Sequence, residues 1–173
     1  PLREAIERGL QGALDEAKFI LGPNVQTFEA EVAEYLGASH AIGVASGTDA
    51  LHLALLAAGV RAGDEVITTP FSFISTAEAI RYIDAIPVFA DIDPHTFNLD
   101  PQSVASVITP STRAILPVHL FGQPANMPAL QALANDHALA LVEDCAQSFG
   151  AHVDGTKTGV MGITGAFSFF PSK

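Results

Sequence analysis

The chain has 173 residues, a length that fits about one domain, and 49% of them are hydrophobic, enough to bury a sizeable core. Eight Lys and Arg against nineteen Asp and Glu give a formal net charge of −11, which repels nucleic acid and anionic membrane surfaces and excludes both as expected partners. A single cysteine, Cys145, rules out an intrachain disulfide and fits a reducing compartment.

Other features of composition point the same way. Neither paired CxxC motifs nor a Cys/His cluster is present in the sequence, so no metal is expected. There is no basic-then-apolar leader and no apolar run near the ~20 residues that span a bilayer. A cytoplasmic protein is expected. Charged residues make up only 16%, low for a domain that meets water on all sides. Part of its surface is therefore expected to meet another domain or subunit.

The predicted elements alternate between helix and strand, without repeats, low-complexity tracts or linkers. Helical spacing runs over 4–17 and 25–37, the second stopped by Gly37. Residues 40–46 read as a short strand, and 48–60 as a helix closed by Gly59. After a turn at Gly63-Asp64 come a strand over 64–70, a helix over 74–83 and a strand over 87–92. Asp100-Pro101 is a helix-start signal for 100–108. A strand over 113–121, a helix over 126–137 and a strand over 139–144 follow. A hairpin-like stretch turns at Asp154-Gly155, and a last strand is expected over 166–170. Strands apolar throughout and separated by helices predict a mostly parallel sheet covered on both faces, a three-layer α/β/α fold. Such sheets bind ligands at the carboxyl ends of their strands.

Four strand ends carry candidate chemistry. Ser46-Gly47-Thr48-Asp49 opens a helix; taken alone it is first the pattern of an ordinary N-cap, and its free N–H groups also suit a phosphate. Phe71-Ser72-Phe73 offers aromatic faces for a flat ligand or for the core. Glu143-Asp144 ends a buried strand, where a carboxylate is costly without a cationic partner; a ligand's protonated ring, a salt bridge or a helix cap would serve. Ser168 and Lys173 follow the last strand; a lysine among apolar residues forms a Schiff base readily, although most lysines are simply surface residues. Taken together, an anion site, an aromatic face, a carboxylate and a lysine complement pyridoxal 5′-phosphate (PLP).

At these residues the sequence resembles the DegT/StrS family of sugar aminotransferases, fold-type-I PLP enzymes. The stretches that carry the resemblance are "FILGPNVQTFEAEVAEYLG", "SGTDALHLAL", "GDEVITTPFSFISTAEAI", "PVFADIDPHTFNLDP", "PVHLFGQPANM", "VEDCAQSFGA" and "AFSFFPSK", in the family's order and over nearly the whole chain. The resemblance implies that Lys173 forms the Schiff base and that Asp144 partners the pyridine nitrogen. It further implies that Gln147 neighbours the ring's 3-hydroxyl, that Phe73 rather than Phe71 stacks on the ring, and that Gly47, Thr48 and Ser168 hold the phosphate. His119 lies near the cofactor on this reading, with a packing role at least as strong. Glu143 is expected to face the other side of its strand and to tolerate glutamine.

Relatives of this kind run to roughly twice this length, so residues 1–173 are expected to be the N-terminal segment plus most of an incomplete large PLP-binding domain. A small C-terminal domain would lie outside them. The implied activity is transfer of an amino group, with glutamate as donor, to a keto sugar on UDP or dTDP. Pyridoxamine 5′-phosphate would be the intermediate, and the site would be shared across a homodimer. A related dehydratase that uses the pyridoxamine form is disfavoured by Lys173, which those relatives replace. A regulatory protein that keeps the fold without turnover is disfavoured by the presence of Lys173, Asp144 and Gln147 together.

Overall fold

The computed structural model describes residues 2–171. The chain divides into two compact units, residues 1–43 and 44–173. The first holds α1 (Leu2–Glu16) and α2 (Pro23–Leu36). In α1 the apolar residues Leu2, Ile6, Leu10 and Leu14 recur every four positions, and all four are exposed. Pro23 opens α2, where a missing N–H costs nothing. Gly37 ends it at φ 76°, a left-handed turn that lets the Ala38 N–H reach back to the Ala33 carbonyl at 2.9 Å.

Residues 40–46 form no strand. Ile42 and Val44 have the apolar character of one, yet both are exposed. A strand persists only where a neighbour takes its backbone groups, and none of the described strands pairs with this segment.

The second unit contains, in order, α3 (Gly47–Ala57), β1 (Glu65–Thr68), α4 (Ser75–Tyr82), β2 (Ile86–Phe89), α5 (Pro101–Val107), β3 (Thr112–Ile115), α6 (Met127–Asp136), β4 (Ala140–Asp144), β5 (His152–Val153), β6 (Thr156–Lys157) and β7 (Thr164–Ala166). Five strands form one parallel sheet in the order β2-β1-β3-β4-β7. Alternation along the strands splits the core in two. Val66, Ala114, Leu116, Val142 and Ala166 pack with Leu51 and Leu55 of α3 and Ala79 and Ile80 of α4. Ile67, Ile115 and Leu141 face the opposite way, onto Val104 of α5 and Met127, Leu130 and Ala134 of α6. Helices thus cover both faces, as the run of apolar strands predicts.

The helix starts follow the capping residues: Asp100 accepts from the Gln102 and Ser103 N–H groups, and Asn126 from Ala129. β5 and β6 pair antiparallel through Asp154 and Gly155, both at positive φ, the tight hairpin that Asp-Gly favours. The final strand is shifted from its expected place. It ends at Ala166, whose partner Asp144 is the last residue of β4, so 167–170 have left the sheet. Among the described residues, no helix is long and apolar enough to cross a membrane.

Candidate functional site

The carboxyl ends of β1, β4 and β7 and the start of α3 form the candidate site. Ser46 caps α3: its Oγ accepts from the Asp49 N–H at 3.1 Å and donates to the Asp49 carboxylate at 3.0 Å. Its hydroxyl is therefore turned into the helix. The N–H groups of Gly47 and Thr48 belong to the first turn and have no intrahelical acceptor. Gly47 stands against Ser168: a Cβ built on it would lie 2.8 Å from the Ser168 Cβ and 3.2 Å from its Oγ. The head of α3 and the Ser168 side chain thus meet in one small space, and the first-turn N–H groups of a helix beside a serine hydroxyl make a donor set that suits an oxyanion. Thr48 directs its own hydroxyl elsewhere, to Ser75 Oγ at 2.9 Å.

Asp144 is buried at the end of β4. Its Oδ2 accepts from Thr76 Oγ1 at 2.8 Å and its Oδ1 from the Ala146 N–H at 3.1 Å. Ser72 Oγ lies 3.0 Å from Thr76 Oγ1. Because Thr76 gives its proton to Asp144, Ser72 is the donor in that contact. The two aromatics before α4 differ. The Phe71 ring packs on Phe97 at 5.8 Å between centroids, whereas Phe73 is 74% exposed, with its face open to a ligand.

Gln147 is exposed, and its Oε1 accepts from the Phe121 N–H at 2.7 Å. That donor fixes which end of the amide faces the backbone, so the NH2 end is the one turned to other partners. Lys173 lies outside the described residues. The structure therefore brings Gly47 together with Ser168, and Asp144 together with the segment that bears Phe73. Gln147 stands on a separate support.

Three buried polar residues take partners that lie far along the chain. Glu143 faces away from Asp144, as alternation requires, but it is fully buried. Its Oε1 accepts from the Met161 and Gly162 N–H groups at 2.8 and 2.7 Å, and its Oε2 from the Gly159 N–H at 2.8 Å and His119 Nε2 at 3.0 Å. His119 Nδ1 accepts from the Ala125 N–H at 3.0 Å, so the proton sits on Nε2 and the ring is a neutral donor. His119 is thus a packing and hydrogen-bonding residue. The expectation that Glu143 tolerates glutamine is overturned, because every group facing it is an N–H donor. Thr76 is the residue of the three that the sequence reading missed; its signal is a hydroxyl at the start of a helix, three positions after Phe73.

Beside them, burial pushes the Cys145 thiol well up, and the Glu143 and Asp144 carboxylates push it the same way, so it stays protonated. His119, Glu143 and Cys145 bring ligand atoms within 4.8 Å of one another. The imidazole and carboxylate are already committed to N–H partners, and the thiol keeps its proton, so the trio holds the fold together and is not built for a metal.

The model of the DegT/DnrJ/EryC1/StrS aminotransferase family matches residues 2–173. The chain belongs to this family. Among curated relatives, it is 51% identical over its whole length to the UDP-N-acetyl-3-dehydro-alpha-D-glucosamine 3-aminotransferase of Acidithiobacillus ferrooxidans, covering 47% of that protein. It is 49% identical over 99% of its length to a pleiotropic regulatory protein of Geobacillus stearothermophilus, covering 46% of it. Among solved structures, the X-ray structure of S. venezuelae DesV in complex with a ketimine intermediate superimposes with a TM-score of 0.95 at 43% identity, over 99% of this chain and 46% of that one. The chain thus spans about half the length of the curated relatives it matches, and its α/β sheet is that of the aminotransferase fold.

Proposed function

We propose that the full-length protein is a PLP-dependent aminotransferase that transfers an amino group, from glutamate, to a keto sugar carried on a nucleotide. The observation that carries this reading is the buried Asp144 carboxylate at the end of β4, in a family whose similar member acts on a UDP-linked 3-keto sugar by its name. The residues present fit the cofactor's phosphate, because the approach of Gly47 to Ser168 leaves a cradle that a Cβ would fill. When bound, the cofactor supplies an electron-withdrawing ring that stabilises negative charge at the substrate's amine-bearing carbon.

The chain's own residues do the rest. Asp144 keeps a proton on the ring nitrogen. Phe73 would cover one ring face, and the Gln147 NH2 would serve as a donor toward the ring 3-oxygen. Gly47, Thr48 and Ser168 bind the phosphate. Lys173 provides the amine that holds the cofactor and then carries the proton at the amine-bearing carbon. On the same reading, residues 1–173 are the N-terminal segment and most of the large domain, and a small C-terminal domain lies beyond them. The protein works in the cytoplasm as a homodimer with a shared site. The exposed Phe121 and Phe170 support that assembly as apolar surface to be covered.

A second reading, a sensor without turnover, is favoured by the regulatory name of the Geobacillus relative. The visible absorption spectrum of the full-length, cofactor-loaded protein separates the two. Glutamate is expected to move the visible band to shorter wavelength, and Lys173→Ala to reduce turnover by orders of magnitude. A spectrum indifferent to glutamate and to every other amino donor would establish the sensor instead.

The phosphate cradle gives a second expected result. Gly47→Val places a branched side chain where Ser168 already stands. PLP affinity of the full-length protein, measured by equilibrium dialysis, should fall about tenfold or more, the loss expected when charge-assisted contacts are broken. Wild-type affinity in this variant overturns the assignment of the cradle.

A further inference from the structure

Ser75 and Thr76 sit at the first turn of α4, both buried, and their hydroxyls point to two different parts of the candidate site. Ser75 accepts from Thr48 at the head of α3. Thr76, 2% exposed, makes three bonds of its own. Its N–H donates to the Phe73 carbonyl at 3.2 Å, its Oγ1–H donates to Asp144 at 2.8 Å, and Ser72 donates to that same oxygen at 3.0 Å. A single residue therefore ties the aromatic that would cover the ring to the carboxylate that would meet its edge.

We propose that Thr76 is a positioning residue of the aminotransferase site: with Ser72 behind it, it fixes the Asp144 carboxylate relative to Phe73. The inference rests on the reading that Asp144 partners the cofactor's ring nitrogen. Two features make it more than packing. The donor chain has one direction, Ser72 to Thr76 to Asp144, because the carboxylate only accepts. A donor chain of this kind strengthens its terminal bond, and a bond to the charged carboxylate stabilises the form that keeps the ring proton in place. Valine at position 76 has the shape of threonine without the hydroxyl, so it removes the bond and leaves an apolar group against Asp144.

The test uses the full-length protein loaded with PLP labelled with 15N in the ring. It reads cofactor affinity and the 15N chemical shift of the ring nitrogen at one fixed pH, with Thr76→Val, Thr76→Ser, Ser72→Ala and Asp144→Asn measured beside the wild type. Thr76→Val is expected to weaken PLP binding about tenfold and to move the ring nitrogen signal toward its unprotonated value. Thr76→Ser should restore both, and Ser72→Ala should give a smaller shift in the same direction. If Asp144→Asn moves the signal and Thr76→Val does not, the positioning role is overturned while the reading of Asp144 stands. If Asp144→Asn leaves the signal in place, that reading fails and the role of Thr76 with it. A Thr76→Ser variant as impaired as valine assigns the effect to packing and also overturns the proposal. Should the valine variant not fold, the decision passes to Ser72→Ala, where an unmoved signal overturns it.

Discussion

Glu143→Gln is expected to destabilise the full-length protein by about 3 kcal/mol or more, although it removes only a charge and keeps the shape. Both Glu143 oxygens accept, two donors to each: Met161 and Gly162 on one, Gly159 and His119 on the other. Glutamine has one acceptor oxygen and one donor nitrogen, so two buried N–H groups must face an NH2. Backbone N–H groups cannot reverse. His119 cannot reverse either, because a proton moved to Nδ1 would meet the Ala125 N–H. Each buried donor left without an acceptor costs about 1–3 kcal/mol, so two of them cost about 2–6 kcal/mol. The loop packs tightly against β4 at Gly162, where even a Cβ would run into the Leu141 carbonyl. Urea unfolding measures the total loss. Hydrogen exchange locates it: the amides of Gly159, Met161 and Gly162 should exchange at least ~30-fold faster, the equivalent of about 2 kcal/mol of local opening. Unchanged exchange at those three amides would show that the carboxylate is not what holds the loop.

Why this knot was hidden, and the parallel sheet was not, follows from sequence separation. Strand and helix are written locally. Apolar runs such as Val66-Ile67 and Leu141-Val142 need only their own neighbours to read as buried strand, and Asp100 and Asn126 announce their helices from within three residues. Glu143 takes its donors from positions 119, 159, 161 and 162. No periodicity relates them, and only the pairing of β4 with its neighbours brings them to one point. The same limit explains residues 40–46: their apolar character was legible, but a strand is a property of two segments, and the second is not among those described. It also explains the last strand, whose aromatic run 167–170 reads as strand while β4 stops supplying partners at Asp144. The candidate site lies between these cases. Gly47, Asp144 and Ser168 are legible because strand ends and helix starts are local features, and a parallel sheet gathers them on one edge. Thr76 was not, because its hydroxyl acts on a residue 68 positions away.

Asp144→Asn is the counterpart at the next residue, with the opposite outcome for the fold and the larger one for chemistry. Here the facing groups include the Ala146 N–H and the Thr76 hydroxyl. Asparagine can turn its oxygen to Ala146, which must donate, and its NH2 to Thr76, whose hydroxyl can rotate and accept. The fold should survive, with unfolding stability within about 1 kcal/mol of the wild type, the net worth of an ordinary hydrogen bond. What the variant loses is the negative charge. On the proposed reading, the ring nitrogen of the cofactor would then lose the anion that holds its proton, and negative charge developing at the amine-bearing carbon would lose its main stabilising partner. Removing a group that stabilises transition-state charge costs about 100- to 1,000-fold in rate, and the single-turnover rate of proton removal from that carbon is expected to fall by about this much. The two neighbours should thus separate cleanly, with Glu143→Gln unstable and Asp144→Asn stable but slow. A stable, slow Glu143→Gln beside an active Asp144→Asn would place the functional carboxylate on the opposite face of β4, against His119 and the 159–162 loop, and would require the cofactor to bind there.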